Sequence, residues 1–446
     1  MDQAEHATIR PLNNEADTHR IGTSSLDTRN DLVPIYRLPP EILSLIFAEL
    51  VLLCPPSDPY LEPKGLSKLR WINVTHVSRR WRETALHHPQ LWTVISTDLG
   101  EQWMQEMLVR SKALPLDMQL VVQHVEDASF LSKHMSRTTR LFLEGEDLFN
   151  FDIQDNLIMQ PAPMLETCTL FLVPEDDADI PVGLFANHVP RLRVLTLNVW
   201  SMCWTCPVLT GLVELSVTLC GAEIMDEPWE EREEESYCTE FFQALSQMSK
   251  LEILTLVNCL PKAPEAIIPE TLWNPSSRSD VVNLVSLKVL NITGAPLDTA
   301  AFASCICLPS TCKVTVTFRL DMEDIRGDAD GLLLLLPRLV GFLGQPVRRL
   351  AIRGSKLGDD YELSLWTRTH PWSDNLLFPA EATCSQHAES SSKPDIRIIA
   401  SVINPSRVLP SLTSNMLAMP NVICLTCFGH GSLFEAYRSL ISQIGF

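Results

Sequence analysis

Apolar residues along this chain follow two different periods, and the change from one to the other divides it. From Pro39 to Leu53 the pattern predicts a helix whose apolar side chains, at 42, 43, 45, 46, 47, 50, 51, 52 and 53, run nearly all the way round. Pro39-Pro40 suit a helix start, where their missing donors would be unpaired anyway, and Pro55-Pro56 stop it. Pro55 to Gly65 is rich in turn formers and reads as a loop. Leu66 to about His87 is helical again, as two helices, with Val77, Trp81 and Ala85 at i, i+4 and i+8 of one face, until Pro89 ends the run. A helix apolar on most sides must be covered on most sides, and a module of roughly 55 residues cannot do that alone. Leaving four large aliphatic side chains in water forgoes roughly 6–12 kcal/mol, at about 1.5–3 each. That is comparable to the stability of a whole domain, so the missing cover is expected from another protein.

Beyond Trp92 the period shortens. The spacing L-x-x-L-x-L fits Leu192/Leu195/Leu197, Leu212/Leu215/Val217, Leu251/Leu254/Leu256 and Leu287/Leu290/Ile292. Looser versions stand at Leu165/Cys168/Leu170, Val347/Leu350/Ile352 and Val422/Leu425/Cys427. The last two apolar positions of each alternate as in a strand and would point into one core. Loose matches arise by chance in a leucine-rich chain, so the extension of the template carries more weight. Leucine-rich repeats place Asn or Cys three residues after the final apolar position. Here Cys220, Cys259 and Ser355 stand there, whereas Trp200, Ala295 and Val173 depart from it. Central positions Leu141, Cys168 and Leu195 are 27 residues apart, and Leu215, Leu254 and Leu290 follow at 20, 39 and 36. A solenoid of stacked units fits this pattern, with insertions where the spacing lengthens.

The front of the chain resembles the F-box family. Leu38-Pro39-Pro40-Glu41-Ile42-Leu43 with Leu45-Ile46 matches its opening, Val77 with Arg79-Arg80 and Trp81 its middle, and Pro89 to Trp92 its end. The Pro55 to Gly65 loop is longer than in many members, and Val77-Ser78 replaces a frequent Val-Cys. The resemblance implies docking on a Skp-type adaptor, which tethers the protein to a cullin–RING ubiquitin ligase. Carried over by position, the adaptor contacts are Leu38, Pro39, Ile42, Leu45, Ile46, Val77, Trp81, Leu91 and Trp92. The layout that follows resembles F-box proteins of the fungal type, an F-box followed by degenerate leucine-rich repeats. A helical cap on the repeats is the alternative reading of residues 38–92, but a cap should show a polar outer face.

Composition narrows the classes. Across 446 residues, 46% are hydrophobic and 20% charged, as in folded globular proteins. The net charge of -20 argues against general affinity for nucleic acid or an anionic membrane. Met1 to Val33 is polar, without periodicity or the apolar run of a signal peptide, and reads as a disordered leader. A cytoplasmic or nuclear protein is expected, with its 13 cysteines reduced.

Candidate chemistry is sparse. Cys203-x-x-Cys206, with Cys220 nearby, is a metal half-site with no second pair at finger or ribbon spacing. Cys424-x-x-Cys427-x-x-His430 would, on a strand, point its two thiols to opposite faces. Cys305, Cys307 and Cys312 lack a companion His and read as small buried apolar residues. Gly429-His430-Gly431-Ser432 is unaccompanied by a G-x-S-x-G elbow, and neither a phosphate loop nor a dinucleotide fingerprint is present. Arg79, Arg80 and Arg82 read as a solvated helix face, and the acidic run from Asp226 to Glu235 as a solubilising loop.

The expected fold is therefore α/β: a leader at 1–33, a three-helix F-box module at 34–96, and an irregular leucine-rich-repeat-like solenoid at 97–446. Loops are expected near 226–240, 261–282 and 369–394. The expected function is a ubiquitin-ligase substrate receptor without catalytic residues, cofactor or metal, holding the adaptor at its front and a protein target on its repeats. The rivals are a non-degradative F-box scaffold, a pure repeat scaffold and a hydrolase.

Overall fold

A computed structural model describes residues 34–54, 69–121, 132–146, 160–173, 183–199, 202–219, 231–262, 281–319, 349–354, 360–366, 396–401 and 424–428. The chain forms two compact units, Met1–Leu114 and Pro115–Phe446. The leader read at 1–33 and the loop read at 369–394 lie outside the described residues. Among the described residues no helix is long and apolar enough to cross a membrane.

In the first unit, helix α1 (Pro40–Leu53) is followed by a 3₁₀ segment (Arg70–His76), helix α2 (Arg79–Leu86) and a 3₁₀ turn (Pro89–Trp92). The run from Leu66 to His87 does divide in two, but its first half is 3₁₀ rather than α. Ser78 makes the break: its backbone is extended and its side chain accepts a hydrogen bond from Trp81 N, capping α2. Strand β1 (Val94–Ser96) and helix α3 (Glu101–Ser111) follow. Gly100, at φ +84°, caps α3 in a conformation that favours glycine. Met104, Met107 and Leu108 of α3 are buried, and Arg110 sits 4.4 Å over the Trp92 ring. This unit thus runs past residue 96, because α3 still has an apolar face to hide.

The second unit is a sheet in which β2 (Leu116–Val121), β3 (Thr138–Glu146), β4 (Thr167–Val173), β5 (Val194–Val199), β6 (Glu214–Leu219) and β7 (Ile253–Val257) each pair in parallel with the next. A short pair, β8 (Val282–Asn283) with β10 (Ile306–Cys307), stands apart. The main sheet continues from β7 to β9 (Val289–Thr293) and β11 (Lys313–Arg319), still parallel. The register stacks equivalent template positions. One buried row runs Met118, Leu141, Cys168, Leu195, Leu215, Leu254, Leu290, Val314; the next runs Leu120, Leu143, Leu170, Leu197, Val217, Leu256, Ile292, Val316. None of these side chains is more than 3% exposed. They form one continuous core because a period of two sends them all to the same face.

The opposite face carries rows of a different kind. Gln119, Phe142, Thr169, Thr196, Ser216, Thr255, Asn291 and Thr315 are in register, all half-buried. So are Val121, Glu144, Phe171, Asn198, Thr218, Val257, Thr293 and Thr317.

Helix α4 (Glu231–Gln247) occupies part of the stretch read as a loop at 226–240. Phe241, Ala244 and Leu245 supply it with a buried face. Phe241 meets Phe302 of helix α5 (Pro296–Cys305) at 5.8 Å, and Tyr237 donates to the Cys259 carbonyl at 2.8 Å. Most of the loop read at 261–282 lies outside the described residues.

The far end of the sheet is not simply parallel. Strand β11 pairs with β14 (Ile396–Ser401) in parallel, but β13 (Asp360–Trp366) runs antiparallel to both β14 and β12 (Arg349–Gly354). β15 (Cys424–Phe428) pairs with β12 in parallel. Five residues separate β12 from β13, enough for a hairpin and too few for the crossover that a parallel neighbour needs.

The two faces of one strand should respond differently. Leu195→Ala should destabilise the second unit by about 2–5 kcal/mol, lowering its urea midpoint, while Thr196→Ala should shift it by less than about 0.5 kcal/mol.

Candidate functional site

Helix α1 has two apolar faces, and only one is inside. Pro39 takes the N-cap position with Pro40 as the first helical residue, and Glu41 lies in the first turn, where a carboxylate favours the helix dipole. Leu43, Phe47 and Val51, at i, i+4 and i+8, are buried. Ile42, Leu45, Ile46, Leu52 and Leu53 form a second stripe in water, with Leu45 62% and both Leu52 and Leu53 75% exposed. Val77, between the 3₁₀ segment and α2, is a further exposed apolar residue at 58%. Together the exposed parts of Ile42, Leu45, Ile46 and Val77 amount to about two whole side chains, worth roughly 3–6 kcal/mol if covered.

The chain ahead of α1 is held by α2. Arg80 donates from its two terminal guanidinium nitrogens to the carbonyls of Tyr36 and Leu38, a fork that only arginine presents. This fixes the half-buried Leu38 and the exposed Pro39 at the mouth of the helix. Arg82 donates through Nε to the Thr75 carbonyl at 2.9 Å, tying α2 back to the 3₁₀ segment. Two members of the basic cluster are thus structural clamps, which their charge alone did not signal. Trp81, half-buried, sets its ring 5.3 Å from Phe47 and joins α2 to the inner face of α1.

The residues singled out from the sequence therefore separate. Pro39, Ile42, Leu45, Ile46 and Val77 are exposed, and Leu38 and Trp81 are half-buried. Leu91 and Trp92 are interior, 2% and 1% exposed. Trp92 donates from Nε1 to the Ala85 carbonyl at 2.9 Å and packs its ring 5.0 Å from Trp71. As placed here, these two lie behind the exposed apolar stripe rather than in it. Sequence spacing missed the interior role because α3, which covers Trp92 with Arg110, lies outside the motif.

The other candidates do not assemble into a site. Cys203 Sγ lies 3.0 Å from Thr205 Oγ1, and burial pushes the Cys206 thiol up, away from the thiolate a metal requires. Among the described residues no three His, Cys, Asp or Glu side chains converge as ligands. Cys220 and His430 lie outside the described residues. Cys424 and Cys427 are both on β15. Cys259 is buried with its thiol 3.8 Å from the Val217 carbonyl, and burial pushes its pKa up to about 12. Cys168 and Cys312 are likewise interior, while Cys305 is half-buried and Cys307 exposed.

Comparison with protein families matches residues 35–98 to the F-box-like domain. No curated protein and no solved structure matches the chain. The matched span contains α1, the Arg80 clamp, Trp81 and the buried Leu91–Trp92 pair, so the geometry and the family boundary fall on the same residues. Residues 35–98 thus form an F-box-like domain, and its first helix carries an outward apolar face.

Proposed function

We propose that the protein is the substrate-recognition subunit of a Skp–cullin–F-box type ubiquitin ligase, working in the cytoplasm, the nucleus or both. The first unit grips the Skp-type adaptor, and the second, read as an irregular leucine-rich-repeat-like solenoid, presents a surface to a protein target. The observation that carries the reading is the exposed stripe Ile42, Leu45, Ile46 on α1, with Val77 beside α2. Large aliphatic side chains in water at the end of a folded module favour burial against a partner. The solenoid reading is supported by the stacked template positions of β2 to β11. The chain contributes position rather than chemistry: holding a target beside the ligase raises the effective concentration of its lysines. Pre-organisation adds to the grip, because Arg80 orders Leu38 and Pro39 before the adaptor arrives and so reduces the entropy lost on binding.

Capture of purified Skp-type adaptor by the full chain tests the reading directly. Leu45→Asp should abolish capture while leaving thermal unfolding nearly unchanged, because the side chain is 62% exposed. Trp92→Ala should instead cost about 3–5 kcal/mol and lose capture by melting the first unit. Capture by Leu45→Asp at wild-type strength would remove α1 as the docking face. If the adaptor binds but cullin never co-purifies, the non-degradative scaffold replaces the ligase subunit.

Arg80→Lys separates the clamp from mere charge. A lysine keeps the charge but cannot reach two carbonyls in a fixed fork, so adaptor affinity should fall about tenfold, as with Arg80→Ala. Equal affinity for wild type and Arg80→Lys in a titration would show that the fork is dispensable.

A further inference from the structure

Cys203 and Cys206 suit a chemistry other than metal binding. Cys206 N donates to the Cys203 carbonyl at 3.4 Å, closing a turn around Trp204 and Thr205. Such a turn holds its end Cα atoms within about 7 Å, and a disulfide spans about 4.4–6.8 Å between Cα atoms. The backbone therefore already stands at bonding range, and rotation about the two Cα–Cβ bonds is what remains. Neighbouring residues are anchored: Trp204 is buried with its ring 4.7 Å from Phe241 of α4, and Val208 and Leu209 of the 3₁₀ turn Pro207–Gly211 are buried. Beside them lies a cavity of about 210 Å³ lined by Trp204, Cys206, Leu209, Glu240 and Gln243. That space lets the Cys206 side chain change rotamer without overpacking the core.

The two thiols are unequal. Cys203 is half-buried and reaches solvent, whereas Cys206 is only 3% exposed. Cys203 Sγ stands 3.0 Å from Thr205 Oγ1, a hydroxyl placed to donate to a thiolate. Burial keeps the Cys206 thiol protonated, so an oxidant in solution meets Cys203 first. Backbone groups of Val208 and Leu184 bond the Cys206 thiol, and these contacts are given up when it turns toward Cys203. The dithiol is therefore the resting form.

We propose that Cys203 and Cys206 form a reversible oxidation site, converted by a hydroperoxide such as hydrogen peroxide to an intramolecular disulfide. Cys203 sulfur attacks one peroxide oxygen and the O–O bond breaks. The sulfur becomes a sulfenic acid, and the other oxygen leaves as water with the proton of the thiol. Cys206 sulfur then attacks Cys203 sulfur, the S–O bond breaks, and the hydroxyl leaves as water with the Cys206 proton. Two thiols give up two electrons in all, and one peroxide is reduced to two waters. An external thiol restores both cysteines by exchange. Disulfides of this transient kind are the ones expected of a reducing compartment. The site lies in the second unit and does not depend on the receptor reading.

Mass spectrometry of the full chain tests it, after reduction, peroxide treatment and alkylation, with peptide fragments locating the bond. Wild type should lose two hydrogens between Cys203 and Cys206 and regain them with dithiothreitol. Cys206→Ser should strand Cys203 as a sulfenic acid, captured by dimedone about tenfold more than in wild type. Cys203→Ser should leave Cys206 a thiol that dimedone does not mark. The wild-type mapping needs neither variant, so a misfolded variant does not remove the test. A bond from Cys203 to any other cysteine, or Cys203 passing to sulfinic acid while Cys206 stays a thiol, would overturn the proposal. So would dimedone capture of Cys206 in Cys203→Ser.

Discussion

A single helix with apolar side chains on two sides cannot be sheltered by a module one layer thick. Leu43, Phe47 and Val51 of α1 close the core of the first unit, and turning Ile42, Leu45 and Ile46 inward would turn those three out. Rotation therefore cannot relieve the exposure; only a second surface can. The functional reading of the front of the molecule rests on that constraint, since a solvated stripe of this kind is a standing free-energy gain for whatever covers it.

The F-box-like motif divides its residues between an exposed stripe and its support. Arg80 and Arg82 are spent on backbone carbonyls, so the clamp acts on Leu38, Pro39 and the 3₁₀ segment rather than on a partner's charge. Trp92, under Arg110 and against Trp71, holds the turn after α2 in place. A surface built this way is already ordered, so a partner that covers it would have less left to order.

In the second unit one alternating pattern makes two surfaces at once. The leucine rows bind the sheet to α4, α5 and the turns on their side, with Trp204, Phe241 and Phe302 filling the space between. The residues between those leucines make the other surface, and their hydroxyls and amides remain half-exposed because no element is packed over them among the described residues. Core and surface are thereby assigned to alternate residues, so the surface face can vary at little cost to the core.

The sequence by itself determined the local features: the start of α1, the surplus of apolar surface on it, the strands at each template match from β4 to β9, and the buried Cys259. Each of these depends on period or on a neighbour within one turn, which is legible without a fold. Tertiary structure decided the rest. The acidic run proved compatible with a helix start because aromatic residues further along had a core to enter, and β13 turned antiparallel because its partner lay across a hairpin. Leu91 and Trp92 belong to the interior, and Arg80 is a clamp rather than a solvated charge. In each case the deciding neighbour lies far along the chain, and only folding brings it within reach.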